Sequence, residues 1–203
     1  MTAPFGFNNF YPKPIFKVLV ITLAVSLSFI GCKQEADYQQ IVERELSQEG
    51  RNDSLFLGYH FGMTKQEFFD HSWKLNSQKK VQDGAGSASV RYEVEDLKYR
   101  AHKLFYPTFY EGKIYKMPVK YRYNGWAPWN KDYWSDSLKV DVLRKFREEY
   151  PNEFVEMKHP ELGVPSHIMV DKNKRIAIYE LNDEEVAVDY VDLTVLRELK
   201  KEM

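Results

Sequence analysis

The side chains best suited to bind a metal ion are scattered through the chain. The histidines are His60, His71, His102, His159 and His167. No two of them have the i, i+4 spacing that places two ligands on one face of a helix, and there is no His-Glu-x-x-His motif. Surface and strand-edge positions explain these histidines, so the sequence predicts no metal site and no cofactor.

The residues that could support acid–base or nucleophilic catalysis are equally isolated. Ser166 precedes His167 directly, but neighbouring residues of a strand point to opposite sides, and the chain has no Gly-x-Ser-x-Gly motif. Carboxylates are plentiful from Glu180 to Asp189, where they surround a predicted hairpin turn and indicate a solvated edge. Spacing in sequence alone cannot establish the carboxylate pair of a glycosidase. We therefore predict that the protein is not an enzyme.

The first 31 residues predict an export signal. Lys13 and Lys17 precede an apolar run over 18–30, which ends in Gly31 and in the single cysteine of the chain, Cys32. A basic flank, a short apolar segment and a small-residue exit are typical of a secretory signal peptide. The run is too short for a spanning helix, which needs ~20 residues.

The segment from Phe29 to Cys32 resembles the lipobox of bacterial lipoproteins. The resemblance implies cleavage before Cys32 and acylation of its thiol and of the new amino terminus, so that Cys32 anchors the protein to a membrane of the cell envelope. The outer membrane is the expected one. Its periplasmic and surface faces both stay open, because the residues directly after Cys32 match a surface-export signal only in part. An ordinary signal peptide or a buried core segment is the alternative.

Length, charge and cysteine content limit the remaining choices. The chain has 203 residues, of which 43% are hydrophobic, and this suits one domain or two small fused halves. The formal net charge is −1, and we see no basic stripe, so nucleic acid is not an expected partner. Lipidation would consume Cys32, which leaves the mature domain without disulfides, thiolate metal sites or a cysteine nucleophile.

An aromatic segment over 124–134, the aromatic connector, is the best candidate for a binding site. Its rings are Trp126, Trp129, Tyr133 and Trp134, and hydrogen-bonding side chains lie between them. Flat rings beside polar groups suit a sugar or a hot spot for a protein partner. The alternative is a loop that folds back over the hydrophobic core, with Pro128 fixing its path.

The first helix of the folded domain begins after Thr64. Thr64 and Glu67 have the spacing of a capping box, in which each side chain accepts a hydrogen bond from the backbone N–H of the other residue. We expect Phe68, Phe69 and Trp73 to form the buried stripe of this helix.

The other elements follow from the alternation of apolar residues and from turn and cap signals. They are a strand over 55–61, a meander of short strands over 90–123, a helix over 136–150, a hairpin over 175–191 and a last helix over 193–201. Residues 33–54 are predicted to be a polar tether, with either a short helix or a flexible linker around Ile41. The order of elements predicts an α+β fold, in which an antiparallel sheet or sheets carry helices on one face.

Three segments follow from this interpretation. They are a signal peptide over 1–31, the lipidated Cys32 with its polar tether over 32–54, and a single α+β globular domain over 55–203. Within the domain, the pattern of a helix followed by antiparallel strands occurs twice, so two helix-plus-meander units are one way to build it.

The helix opening carries a family resemblance. Phe61-Gly-Met-Thr-Lys-Gln-Glu67 resembles the G-M-[ST]-x-x-[EQ] opening in small envelope lipoproteins of the BamE/SmpA-like, or BLIP-like, fold. The chain is longer than one such unit and would need two copies. The family implies a role in binding proteins at the envelope without catalysis, and no functional residue is carried over from it.

The favoured function is a lipid-anchored, non-catalytic module of the cell envelope that binds a protein partner. It predicts an exposed apolar patch, on the order of several hundred Å², near a sheet edge or the aromatic connector. The alternative is a glycan-binding surface lipoprotein, which predicts at least two exposed and coplanar rings in the aromatic connector. An enzyme is the least favoured hypothesis and predicts a deep pocket with converging titratable groups.

Overall fold

A computed structural model describes residues 37–84 and 89–202. The predicted signal peptide and Cys32 lie outside these residues, and so does the stretch 85–88 in the predicted glycine-bearing loop. A compact unit extends from Gln40 onward.

Nine strands and four α-helices make up the described part of the chain. The strands are β1 (Gln82–Asp83), β2 (Val90–Val94), β3 (Ala101–Phe105), β4 (Thr108–Tyr110), β5 (Lys113–Tyr123), β6 (Val155–Lys158), β7 (Pro165–Asp171), β8 (Lys174–Glu180) and β9 (Glu185–Asp192). The helices are α1 (37–46), α2 (Lys65–Ser77), α3 (Ser135–Glu149) and α4 (Leu193–Glu202), with a 3-10 turn at Lys131–Tyr133.

All strands join one antiparallel sheet in the order β1-β2-β3-β5-β9-β8-β7-β6, and β4 pairs with β5 beside this path. Helix α2 precedes β1 to β5, and helix α3 precedes β6 to β9. The last strands of the two series, β5 and β9, pair at the centre of the sheet. The α+β prediction is confirmed, and the sheet contains two helix-plus-meander units.

The hydrophobic core lies between one face of the sheet and helices α2 and α3. Helix α3 buries Leu138, Val142 and Phe146, and α2 adds Phe68 and Leu75 to the same cluster. The spacing of these residues is that of one helical face. Both helices therefore cover the same face of the sheet, which we call the core face.

The capping box at the start of α2 is confirmed. The Glu67 N–H donates to the Thr64 hydroxyl at 3.2 Å, and the Thr64 N–H donates to the Glu67 carboxylate at 2.7 Å. The hydrogen bonds from the Thr64 backbone and hydroxyl hold the pKa of Glu67 below its usual range. Two backbone donors of the first turn are thus satisfied, and the start of the helix is fixed.

The strand predicted over 55–61 is wrong. Leu57 and Gly58 have φ angles of 52° and 83°, and the Tyr59 N–H donates to the Phe56 carbonyl at 2.9 Å. The segment is therefore a turn, although Leu55 and Tyr59 are buried. The alternation predicted the burial of Leu55, Tyr59 and Phe61 correctly, but Leu57 is only half-buried. A turn can bury alternate residues as well as a strand does.

The compact unit begins earlier than the domain start predicted at Leu55, because the end of the predicted tether is bonded to the β7–β8 turn. The Asn52 N–H donates to the Asn173 side-chain oxygen at 2.7 Å, and the Asn173 amide donates to Asp53 at 2.9 Å. Polar residues in this segment are therefore hydrogen-bonded parts of the domain. Their composition alone suggested solvent-exposed chain.

Candidate functional site

The aromatic connector joins β5 to α3, and most of its rings contact other residues of the domain. Tyr133 stacks on Tyr99 with centroids 4.4 Å apart and ring planes 19° apart. The indole N–H of Trp126 donates to the Asp183 carbonyl at 3.1 Å, and that of Trp134 donates to the Ala127 carbonyl at 3.3 Å. These rings are therefore oriented by contacts within the domain.

Exposure separates Trp129 from the other rings of the connector. Trp129 is 86% exposed, whereas Trp126, Tyr133 and Trp134 are half-buried. The Lys131 ammonium also lies 2.8 Å from the centroid of the Trp134 ring. The connector thus presents one exposed ring, fewer than the two that the glycan-binding alternative requires.

A glycine is needed where the connector turns. A Cβ atom at Gly125 would lie 2.8 Å from the Tyr133 ring, closer than side-chain carbons approach one another. The absence of a side chain at this position lets Tyr133 reach its stacking partner. The local sequence therefore favours a connector that packs on the domain.

Ser166 and the histidines other than His167 have hydrogen-bond partners in the described part of the chain. Ser166 donates to the Met157 carbonyl at 2.9 Å, and His71 lies 2.7 Å from the Leu57 carbonyl through its Nε2. Across residues 37–84 and 89–202, no three histidine, cysteine, aspartate or glutamate side chains converge as metal ligands.

A groove of about 530 Å³ lies between α2 and the β1–β2 hairpin. We call it the α2–β1 groove. It is lined by Phe68, Phe69, Asp70, Ser72, Trp73 and Asn76 of α2, and by Val81, Gln82, Asp83, Gly84, Ser89 and Val90. Strand β1 pairs only with β2 and ends the strand order on this side, so the groove lies at an edge of the sheet.

Two large apolar side chains of α2 are exposed at this groove. Phe68 is fully buried in the core, whereas Phe69 is 40% exposed and Trp73 is 76% exposed. The prediction that Phe69 and Trp73 belong to the buried stripe is therefore wrong. Residues 69 and 73 are i, i+4 neighbours. They lie on the helix face next to the face that buries Phe68, and both line the groove.

The groove is acidic as well as apolar. Asp70 and Asp83 are the charged residues in its lining. The Gln66 amide donates to the Asp70 carboxylate at 2.9 Å. An apolar side chain flanked by lysine or arginine would match both the rings and the carboxylates.

Sequence reasoning missed the α2–β1 groove because it assigned all apolar residues of α2 to the core. A usable signal was present in the sequence. Phe68, Phe69 and Trp73 span a wider arc than the single face that a short amphipathic helix buries. The surplus arc indicates apolar surface that the core does not accommodate.

In comparisons with known proteins, no protein-family model, no curated protein and no solved structure matches this chain. Within the described residues, no helix has the length and hydrophobicity needed to cross a membrane.

Proposed function

We propose that the protein is a lipid-anchored protein of the cell envelope that binds a protein partner without catalysis. Cys32, in its lipobox-like segment, would carry the lipid, and the α2–β1 groove would receive the partner. The observation that carries the proposal is the pair of exposed rings, Phe69 and Trp73, at an edge of the sheet. Exposed apolar surface of this kind marks interaction sites in soluble domains.

The expected partner segment has one or two apolar side chains beside lysine or arginine. Trp73 offers a large flat surface of the type enriched in binding hot spots. Asp70 and Asp83 would attract basic groups and disfavour acidic ones, and they would act more on specificity and association rate than on affinity.

The internal organisation of the domain supports the same proposal. The resemblance of 61–67 to envelope lipoproteins required two copies of a helix-plus-meander unit. The sheet contains two such units, one led by α2 and one by α3. A role in binding envelope proteins is therefore our leading hypothesis for this chain.

Site-directed crosslinking in the native host tests the groove. Asn76→p-benzoylphenylalanine places a photoreactive group in the groove lining, and Asn130→p-benzoylphenylalanine places one in the aromatic connector as the matched control. We expect a specific adduct from position 76, absent when Trp73→Ala is added and unchanged when Trp129→Ala is added. Asp70→Asn with Asp83→Asn should reduce the adduct if the partner is basic.

The opposite pattern would overturn the assignment of the groove. An adduct that forms from position 130 and disappears with Trp129→Ala would move the site to the aromatic connector. A third outcome is that the adducts survive both tryptophan substitutions and disappear when the lipid anchor is removed. It would show that proximity at the membrane, and not the groove, selects the neighbour.

Glycan binding by Trp126, Trp129, Tyr133 and Trp134 remains the second candidate. The exposed ring of Trp129 is the observation in its favour. Titration with soluble envelope oligosaccharides, followed by tryptophan fluorescence, distinguishes this candidate. A response in the wild type that Trp129→Ala removes would support it, and a flat titration would reject it.

The anchor has its own test. We expect Cys32→Ser to leave the domain folded, because the compact unit begins at Gln40, but to prevent processing by the lipoprotein route. Mass spectrometry of the mature wild-type protein should show acyl chains on Cys32. An unmodified thiol at that position would contradict the lipid-anchor proposal and leave the groove proposal untouched.

A further inference from the structure

Lys103 is a buried lysine at the middle of β3. Its cross-strand neighbours are Tyr92 on β2 and Tyr121 on β5, so its side chain lies on the core face of the sheet. The residue is only 7% exposed. A lysine is almost never buried to this extent unless a partner compensates its charge.

A pocket of about 280 Å³ adjoins the Lys103 side chain. Most of its wall is aromatic, and the rings are Phe56, Tyr92, Tyr121, Phe146, Tyr150 and Tyr190. Asp96, Lys145 and Glu149 are its other charged residues, and the two carboxylates are well exposed. The pocket therefore has an aromatic interior with Lys103 inside and a charged, solvent-facing end. Its size is near the lower limit for small-molecule sites.

The Lys103 amine contacts rings and not carboxylates. Its Nζ lies 3.7 Å from the centroid of Phe56, and 5.2 Å and 5.7 Å from those of Tyr92 and Tyr121. The nearby carboxylates, Asp96 and Glu149, are both bonded to the Lys145 ammonium instead. Among the described residues, none forms an ion pair with Lys103.

Burial has a direct chemical consequence for this amine. Desolvation lowers the pKa of Lys103 to about 7, against the opposing effect of Glu149. At neutral pH a large fraction of the amine is therefore unprotonated and carries the lone pair that a nucleophile requires. A lysine desolvated in an apolar pocket is the form in which lysine attacks carbonyl carbons.

We propose that this pocket binds a small carbonyl compound with a flat apolar body, such as an aromatic aldehyde, as a reversible Schiff base on Lys103. The Nζ lone pair forms a bond to the carbonyl carbon, and the carbonyl π electrons move to its oxygen. One proton passes from nitrogen to oxygen to give the carbinolamine. Loss of water, with the second amine proton, then leaves a C=N bond. The step needs no oxidant or reductant.

The walls of the pocket suit the bound form. A protonated imine is a cation, and the Phe56 ring already lies at cation–π distance from the nitrogen. The aromatic interior would stack against a flat ligand. An anionic ligand fits less well, because the exposed carboxylates of Asp96 and Glu149 at the outer end of the pocket would repel it.

This site does not depend on the proposed partner groove, because the two share no lining residue. Benzaldehyde with sodium cyanoborohydride at pH 6.5 is a suitable probe, since reduction makes the adduct permanent. Peptide mapping by mass spectrometry then locates each modified lysine in the folded wild-type protein. We expect Lys103 to react at least about tenfold more than any exposed lysine, because exposed amines with a pKa near 10.4 are almost fully protonated at this pH.

Three variants and an unfolded sample refine the result. Lys80→Arg removes an exposed lysine near Tyr92 and should leave labelling of Lys103 unchanged. Phe56→Leu retains the lysine but removes the nearest ring, and should reduce labelling several-fold. Lys103→Arg should abolish the specific adduct. In urea-unfolded protein the preference should vanish, with all lysines labelled alike.

The proposal is overturned if folded wild-type protein is labelled only on exposed lysines while Lys103 stays unmodified from pH 6 to 9. It is also overturned if Lys103 reacts no faster than the exposed lysines. Both results are read on the wild type, so they do not depend on whether a variant folds. Neither result would bear on the crosslinks that test the groove.

Discussion

Arg175 and Lys103 are buried cations on opposite faces of the same sheet, and of these two only Arg175 has a carboxylate partner within the described residues. Arg175 on β8 is 1% exposed, and its two terminal nitrogens each donate to the Glu161 carboxylate at 2.8 Å. Lys103 on the core face has aromatic rings around its amine and no such partner within the described residues. The pairing of Arg175 explains its burial, whereas Lys103 is buried with ring contacts in place of a counter-ion.

The surroundings of Arg175 are arranged around one charge pair. Burial opposes ionisation of Glu161, but the hydrogen bonds and charge of Arg175 lower the pKa of this carboxyl below its usual range. Burial, together with the nearby Arg175, also lowers the pKa of His159. The neutral imidazole accepts N–H bonds from Glu161 and Leu162 through Nδ1, at 3.2 Å and 3.3 Å. The whole cluster is thus consistent with a structural role.

The comparison shows how to interpret a buried charge. A charge with a hydrogen-bonded counter-ion can belong to the fold, and breaking the pair costs stability. A charge without one lowers the stability of the folded protein, and departures of this kind from a consistent core are expected at functional sites. The three predictions below test this distinction, from the largest expected effect to the smallest.

Glu161→Ala should cause the largest change, a loss of about 3 kcal/mol in the free energy of unfolding. The reason is that the Arg175 guanidinium would stay buried without its counter-ion. Urea titration followed by circular dichroism measures the change at pH 7.

The pH dependence provides the control for this pair. Because folding lowers the pKa of Glu161, its contribution is fully present above the unfolded value near 4.3 and is lost as the pH falls through the folded value. The wild type and Glu161→Ala should therefore converge in stability under acid. A difference that persists unchanged at pH 3 would mean that packing, and not charge, accounts for the loss.

Lys103→Met should change stability in the opposite direction, by a gain of about 2 kcal/mol at pH 6. Methionine has a similar length and no charge to desolvate. Thermal and urea unfolding at fixed pH would measure the gain, and a clear loss of stability would show that Lys103 is a structural residue after all.

The sign of the pH effect for Lys103 follows from linkage. Its folded pKa is about 7 and its unfolded pKa is near 10.4, so between these values the unfolded state binds more protons. Wild-type stability should therefore rise over this window because of Lys103. The advantage of Lys103→Met should shrink over the same window, and a constant difference from pH 6 to 10 would contradict the assigned pKa.

Lys120→Ala should have the smallest effect, within about 0.5 kcal/mol. Lys120 lies on the same face of the sheet as Arg175, but its side chain is 53% exposed and its nitrogen is 3.7 Å from Glu185. Solvent screens this pair, and either charge can be hydrated alone. A loss comparable to that of Glu161→Ala would mean that burial is not the decisive variable.

Sequence signals of short range predicted much of this fold. The capping box at Thr64, the helix predicted over 136–150 and the β8–β9 hairpin all depend on neighbours in sequence, and the structure contains each of them. The turn at Leu57 was missed because its positive φ is unusual for leucine, and no local pattern announces it.

The surroundings of Lys103 and Arg175 could not be predicted from the sequence for a different reason. The neighbours of Lys103, Tyr92 and Tyr121, are set by the register of three strands, and register depends on contacts made far apart in sequence. The surroundings of Arg175 depend likewise on where the β6–β7 connection places Glu161. Of the candidate sites, the aromatic connector was visible in composition, whereas the groove and the Lys103 pocket exist only once the sheet has formed.

The short strands at the two ends of the described sheet have a consequence for solubility. Strand β1 has two residues, and β6 has four, with exposed Glu156 and Lys158 among them. Strands with few backbone groups and with exposed charged side chains are poor templates for fibril growth. Copies crowded side by side on a bilayer, as the proposed anchor would crowd them, could therefore reach high local density without polymerising.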